Sequence, residues 1–300
     1  MRSQGSISQP GATIRPMDRP PASPLEQSAT RTYRYLRLTI VGLVVLLVVS
    51  VAIASAQCGA ALGSISVSYY TPARSVFVGS LIGIGAALIA IRGRQGLENS
   101  LLTVAGMTAG LIALVPTPRP SAVGSCAAAP FDPAASVQNN VWALLVAGAF
   151  GLGAAVLSTV TGARPGWRTP VAAAMLWIVV LVWFTVGRAS FVEAAHYAAS
   201  ALLFVLLTVV AVINALHARF QPNPPLLPAG AYRAIYWFVA AAMAGAMITA
   251  AVLWFAERAT IQTPGGWMLY LEAVLVGAFA LLYLAQTAQF WRIGAPAEAR

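Results

Sequence analysis

LRLTIVGLVVLLVVSVAIASAQ, residues 36–57, is an apolar run interrupted by one charge, Arg37. As an α-helix it extends about 33 Å, enough to cross the hydrocarbon core of a bilayer. Working outward, similar runs occupy 72–91, 99–116, 138–161, 170–187, 191–217, 231–255 and 264–291. The pattern predicts an all-α, polytopic transmembrane helical bundle of eight spans. Composition agrees, since 59% hydrophobic against 9% charged residues leaves too little charge for a water-facing surface.

Local chemistry predicts where the helices begin. Thr71-Pro72, Thr169-Pro170 and Thr263-Pro264 each offer a hydroxyl at the N-cap and a proline at the first helical position, where no N–H is needed. Ser190 and Glu193 have the spacing of a capping box opening the sixth span. Residues 1–30, rich in Pro, Ser and Gln, read as a disordered cytoplasmic tail, 31–292 as the transmembrane domain, and 293–300 as a second cytoplasmic tail. Small residues four apart, at Gly79 and Gly83, Gly106 and Gly110, Ala149 and Gly153, and Ala241 and Gly245, predict close helix packing.

Lysine is absent, so all basic residues are arginine, which in an Ala-rich chain points to a GC-rich bacterial genome. The arginines flank spans and form no patch with interleaved aromatics, which argues against nucleic acid as a partner. With the N-terminal tail inside, only Arg74, Arg119, Arg188 and Arg258 of the 18 face outward. Both termini are then cytoplasmic, and the expected location is the bacterial cytoplasmic membrane. Arg31, Arg34 and Arg37 precede or enter the first span at helical spacing and are expected to meet anionic headgroups. Ala54-Ser55-Ala56 has the form of a signal cleavage site, but the apolar run exceeds a signal core, so the span is read as retained.

This orientation puts Cys58 and Cys126 on the oxidising face. A disulfide between them is one reading; a buried thiol and a small loop residue is the other.

Ionisable groups inside a span are functional hypotheses because they are costly to keep there. Glu272 lies about two turns into the last span. His196 shares a helix face with Glu193 and Ser200. Ser64 and Ser68, one helical turn apart, precede Tyr70 and Arg74 in SISVSYYTPAR, residues 64–74. All of these fall in the outer half. They predict an outward-facing polar cavity between spans 2, 6 and 8, lined by Ser64, Ser68, Tyr70, Arg74, Glu193, His196, Ser200 and Glu272. No cofactor is expected, and His196 alone is a weak metal candidate, because a zinc site needs about three protein ligands.

SISVSYYTPARSVFVGSLIGIGAALIAIRG (residues 64–93) followed by AGMTAGLIALVPTP (105–118) resembles a family of uncharacterised bacterial multi-spanning membrane proteins. The resemblance rests on Ser64, Ser66, Tyr69, Tyr70, Arg74, Phe77, Val78, Gly79 and His196, covers about a fifth of the chain, and implies a helical bundle without an activity. A remoter similarity is to the superfamily of alkaline ceramidases and progestin/adiponectin-type receptors, which implies zinc held by histidines. Here positions 192 and 200, which would complete a His-x-x-x-His pair, are Val and Ser. The function expected first is binding, sensing or assembly at the outer face. The alternatives are a proton-coupled small-molecule transporter using Glu272 and, after it, a membrane-embedded metal-dependent hydrolase.

Overall fold

The computed structural model describes residues 24–91, 93, 96–118, 126, 133–162, 166–218 and 226–291. Among them every regular element is helical: α1 (Pro24–Gln57), a 3-10 turn (Ser66–Tyr70), α2 (Arg74–Ala90), α3 (Leu97–Leu114), α4 (Pro133–Val160), α5 (Arg168–Val186), α6 (Arg188–His217), α7 (Ala229–Arg258) and α8 (Trp267–Gln289). Seven of these helices have the length and apolarity to cross a membrane, and α2, with 17 residues, falls just short. At about 25 Å, α2 is a few ångströms under the thickness of the hydrocarbon core.

Six helices close into a ring. α1 packs on α2, α2 on α3, α3 on α6, α6 on α7, α7 on α8, and α8 back on α1, while α4 and α5 lie outside against α3 and α6. The outer surface is apolar: Val146, Phe150, Val186, Phe238, Ile248 and Phe255 are all exposed. Side chains of this kind facing outward over whole helices require lipid as the surrounding solvent. The chain is thus a multi-pass helical membrane protein.

Glycine permits the closest crossing. A Cβ on Gly85 would lie 2.7 Å from the Gly106 carbonyl oxygen, and one on Gly106 would lie 2.5 Å from that of Gly85. α2 and α3 therefore meet backbone to backbone, with van der Waals contact replacing the hydrophobic drive that lipid removes. Of the small-residue pairs in the sequence, Gly79, Gly153 and Gly245 face open space instead.

Contacts sort the helix termini into two ends. At one, Cys58 is joined to Cys126 by a disulfide and Tyr70 bonds to Thr117. At the other, Arg34 lies over Trp291 and Arg37 over Phe290, so the start of α1 and the finish of α8 are neighbours.

Several local expectations are corrected. α1 begins at Pro24, inside the stretch read as a disordered tail; residues 1–23 and 292–300 lie outside the described residues. Arg37 does not reach headgroups. It is 1% exposed and stacked on Phe290, because its helix face is the one that α8 covers. Arg31 is exposed and Arg34 half-buried.

The Thr-Pro pairs do not sit at N-caps. α2 starts two residues after Pro72, α5 already includes Thr169, and Thr263 donates to Glu257. The capping box is absent too. α5 and α6 are separated by Gly187 alone, and Ser190 Oγ turns back to donate to the Gly187 carbonyl while accepting from Trp183 Nε1. With Ser190 so engaged, Glu193 is left exposed.

Candidate functional site

The segment between α1 and α2 is polar, and its own hydroxyls satisfy its backbone. Ser64 Oγ accepts from the Val67 N–H at 3.1 Å. Thr71 Oγ1 accepts from the Ala73 N–H and donates to the Ser68 carbonyl. These are the side-chain-to-backbone bonds that let Ser and Thr replace a regular ladder. Longer side chains then fix the turn in place. Tyr70 donates to the Thr117 carbonyl at 2.6 Å, just beyond α3, and Arg74 stacks over Tyr69 while donating to its hydroxyl at 3.1 Å.

The turn carries Ser66 between two helices. Ser66 Oγ is 2.9 Å from Glu272 Oε1, on the second turn of α8, and 3.0 Å from His196 Nε2, on α6. The other carboxylate oxygen of Glu272 accepts from the Ile65 N–H. His196 is 2% exposed, and its Nδ1 lies 2.6 Å from the Val115 carbonyl at the end of α3. Side chains of α6 and α8 thus meet at one serine hydroxyl, and His196 links them on to the end of α3.

Hydrogen bonding constrains the protons in this row. A carbonyl only accepts, so His196 Nδ1 carries hydrogen. If His196 is neutral, its Nε2 accepts the Ser66 proton, and Glu272 must donate its own proton to Ser66 Oγ. If Glu272 is ionised, Ser66 donates to it, and His196 Nε2 must donate to Ser66 as imidazolium. Both arrangements hold one proton shared between acid and base, and they interconvert when the Glu272 proton passes to Ser66 Oγ as the Ser66 proton passes to His196 Nε2. With that proton removed, one short contact has no hydrogen, which a buried network tolerates poorly.

Of the residues singled out in the sequence, Glu272 and His196 are brought together through Ser66. Ser64, Tyr70 and Arg74 hold the turn that presents it. Ser68 is fully buried, and its hydroxyl has no partner among the described residues. Ser200 is half-buried on the same helix as His196, and Glu193 is exposed. The group is a closed, hydrogen-bonded row. A cavity of about 470 Å³ lies elsewhere, between α2, α3, α4 and α5, and is lined by apolar and small residues such as Gly106, Gly148, Leu144 and Trp177.

No metal site takes shape around His196. Both ring nitrogens are engaged, and no three His, Cys, Asp or Glu side chains come together among the described residues. No protein-family model, no curated protein and no solved structure matches this chain.

Proposed function

We propose that this is a binding or sensing protein of the bacterial cytoplasmic membrane, with eight spans and both termini inside, and that Glu272, Ser66 and His196 form its working site on the outer side. One observation carries this reading: a single serine hydroxyl bridges a carboxyl group and an imidazole that arrive from different helices. The arginine partition supports an outward Cys58 end, and a disulfide is at home there.

The network supplies a two-state element. In one state Glu272 holds the turn before α2 against α8 by its bonds to Ile65 and Ser66; in the other an arriving ligand takes that carboxylate and frees the turn. Such a change needs only differential contacts between two packings.

Infrared difference spectra of the protein in nanodiscs, stepped from acid to alkaline pH, test this reading. A protonated-carboxyl band should respond in the wild type, shift in Ser66→Ala and vanish in Glu272→Gln. A spectrum unchanged by Glu272→Gln would remove the site.

The proton-coupled transporter is the second reading, favoured by a further buried polar cluster at the opposite end of the ring. Proteoliposomes under a pH gradient would then show proton uptake that Glu272→Gln abolishes. A metal-dependent hydrolase is not put forward, because His196 has no free nitrogen to offer.

A further inference from the structure

At the Arg37 end of the ring, six polar side chains from five helices are buried together: Arg37 on α1, Glu98 on α3, Asn214 on α6, Tyr236 on α7, and Tyr283 and Gln289 on α8. Asn214 Nδ2 donates to Glu98 Oε1 at 2.9 Å and also to the Val210 carbonyl. Tyr236 donates to Gln289 Oε1 at 2.6 Å. Arg37 lies within electrostatic reach of Tyr236, Tyr283 and Glu98, and Tyr283 within reach of Glu98, so these groups share one space.

The atoms of this cluster without a partner among the described residues include Asn214 Oδ1, the Tyr283 hydroxyl and Gln289 Nε2. Relabelling the amides does not remove the shortfall. Both partners of Asn214 Nδ2 are acceptors, so its oxygen must face away from them. Turning Gln289 over merely exchanges which of its two atoms is orphaned. An acceptor, a donor and a hydroxyl left unsatisfied at membrane depth would each cost kilocalories, and native proteins meet such groups with water.

We propose that this end of the ring is a hydrated chamber in which water binds between Asn214, Tyr283 and Gln289, supplied from the side of the membrane that Arg31 faces. The ligand must both donate and accept, which matches the O–H group. Towards the Cys58 end, Leu203, Leu207, Met243 and Leu282 fill the ring with buried apolar side chains, so the water does not continue to the Ser66 network. This chamber does not depend on the role assigned to Glu272.

Hydroxyl-radical footprinting of the full wild-type chain in nanodiscs tests the proposal, since radicals form in bound water. Tyr283 and Met243 are equally inaccessible, each 0% exposed. Oxidation of Tyr283 should exceed that of Met243 several-fold, although methionine is intrinsically the more reactive. In Asn214→Leu, which removes the orphaned acceptor, Tyr283 oxidation should fall several-fold while Met243 stays low. A wild-type Tyr283 as protected as Met243 overturns the chamber. Unchanged Tyr283 oxidation in a folded Asn214→Leu overturns the assignment of Asn214 to it.

Discussion

Ser66 satisfies two neighbours with one hydroxyl, so its removal leaves both short. Ser66→Ala is expected to lower stability by about 1–3 kcal/mol, the cost of stranding buried polar partners, read as a drop in thermal midpoint in nanodiscs. Ser200→Ala and Glu193→Gln should stay within about 0.5 kcal/mol of wild type, because neither touches the network. Arg37 and Arg31 make a second contrast. Replacing buried Arg37 by Met should destabilise by about 3 kcal/mol, and the same change at exposed Arg31 should be silent in the same melt. Residue-scale reading of the sequence found Glu272 and His196 because charge in a span is conspicuous. It named Ser66 only in the family resemblance and left it out of the cavity, because α-helical spacing pairs Ser64 with Ser68, whereas the segment is a 3-10 turn whose Ser66 reaches Glu272 and His196. Arg37 was assigned to the interface from its flanking position. The signal that would have corrected this was Glu98, an opposite charge just ahead of the third apolar run.

Between elements, the tightest constraint is the α2–α3 crossing. Gly106→Leu drives a side chain into the Gly85 carbonyl and Ile89, and backbone cannot yield as a flexible side chain can. A loss of folded yield is expected, while Gly153→Ala and Gly245→Ala, which open onto free space, should behave as wild type by size-exclusion chromatography. The helices themselves were legible from hydropathy, and all eight apolar runs have a helix in the structure. Their first turns were not. Thr and Ser hydroxyls have several backbone partners within reach, and which one wins depends on neighbouring helices: Thr263 is drawn to Glu257, and Ser190 to the corner at Gly187. Small-residue spacing likewise marked Gly106 but could not name Gly85, since the partner is fixed by how the ring closes.

For the whole molecule, the disulfide ties the finish of α1 to the segment before α4 across a sequence separation of 68 residues, a loop that encloses α2 and α3. Restricting an unfolded loop of that length is worth about 4 kcal/mol in the chain-entropy account. Reduction should therefore lower the thermal midpoint, and Cys58→Ser should remove the mobility difference between reduced and unreduced samples on a gel. The same bond makes sidedness easy to measure, because an introduced cysteine is then the one free thiol. Ile261→Cys should react with a membrane-impermeant reagent from outside, and Thr161→Cys only after the membrane is opened; reversal of this pattern would invert the orientation drawn from the arginines. Which helices neighbour one another was not legible. Every span is apolar on most faces, so periodicity does not show which face turns inward, and the exclusion of α4 and α5 from the ring emerges only from packing.

The corner between α5 and α6 has one more consequence. With Gly187 as the entire connection, neither helix has slack to wait in water while the other settles. During biogenesis the pair must be inserted together as a helical hairpin, so this portion of the chain is committed to the membrane in one step.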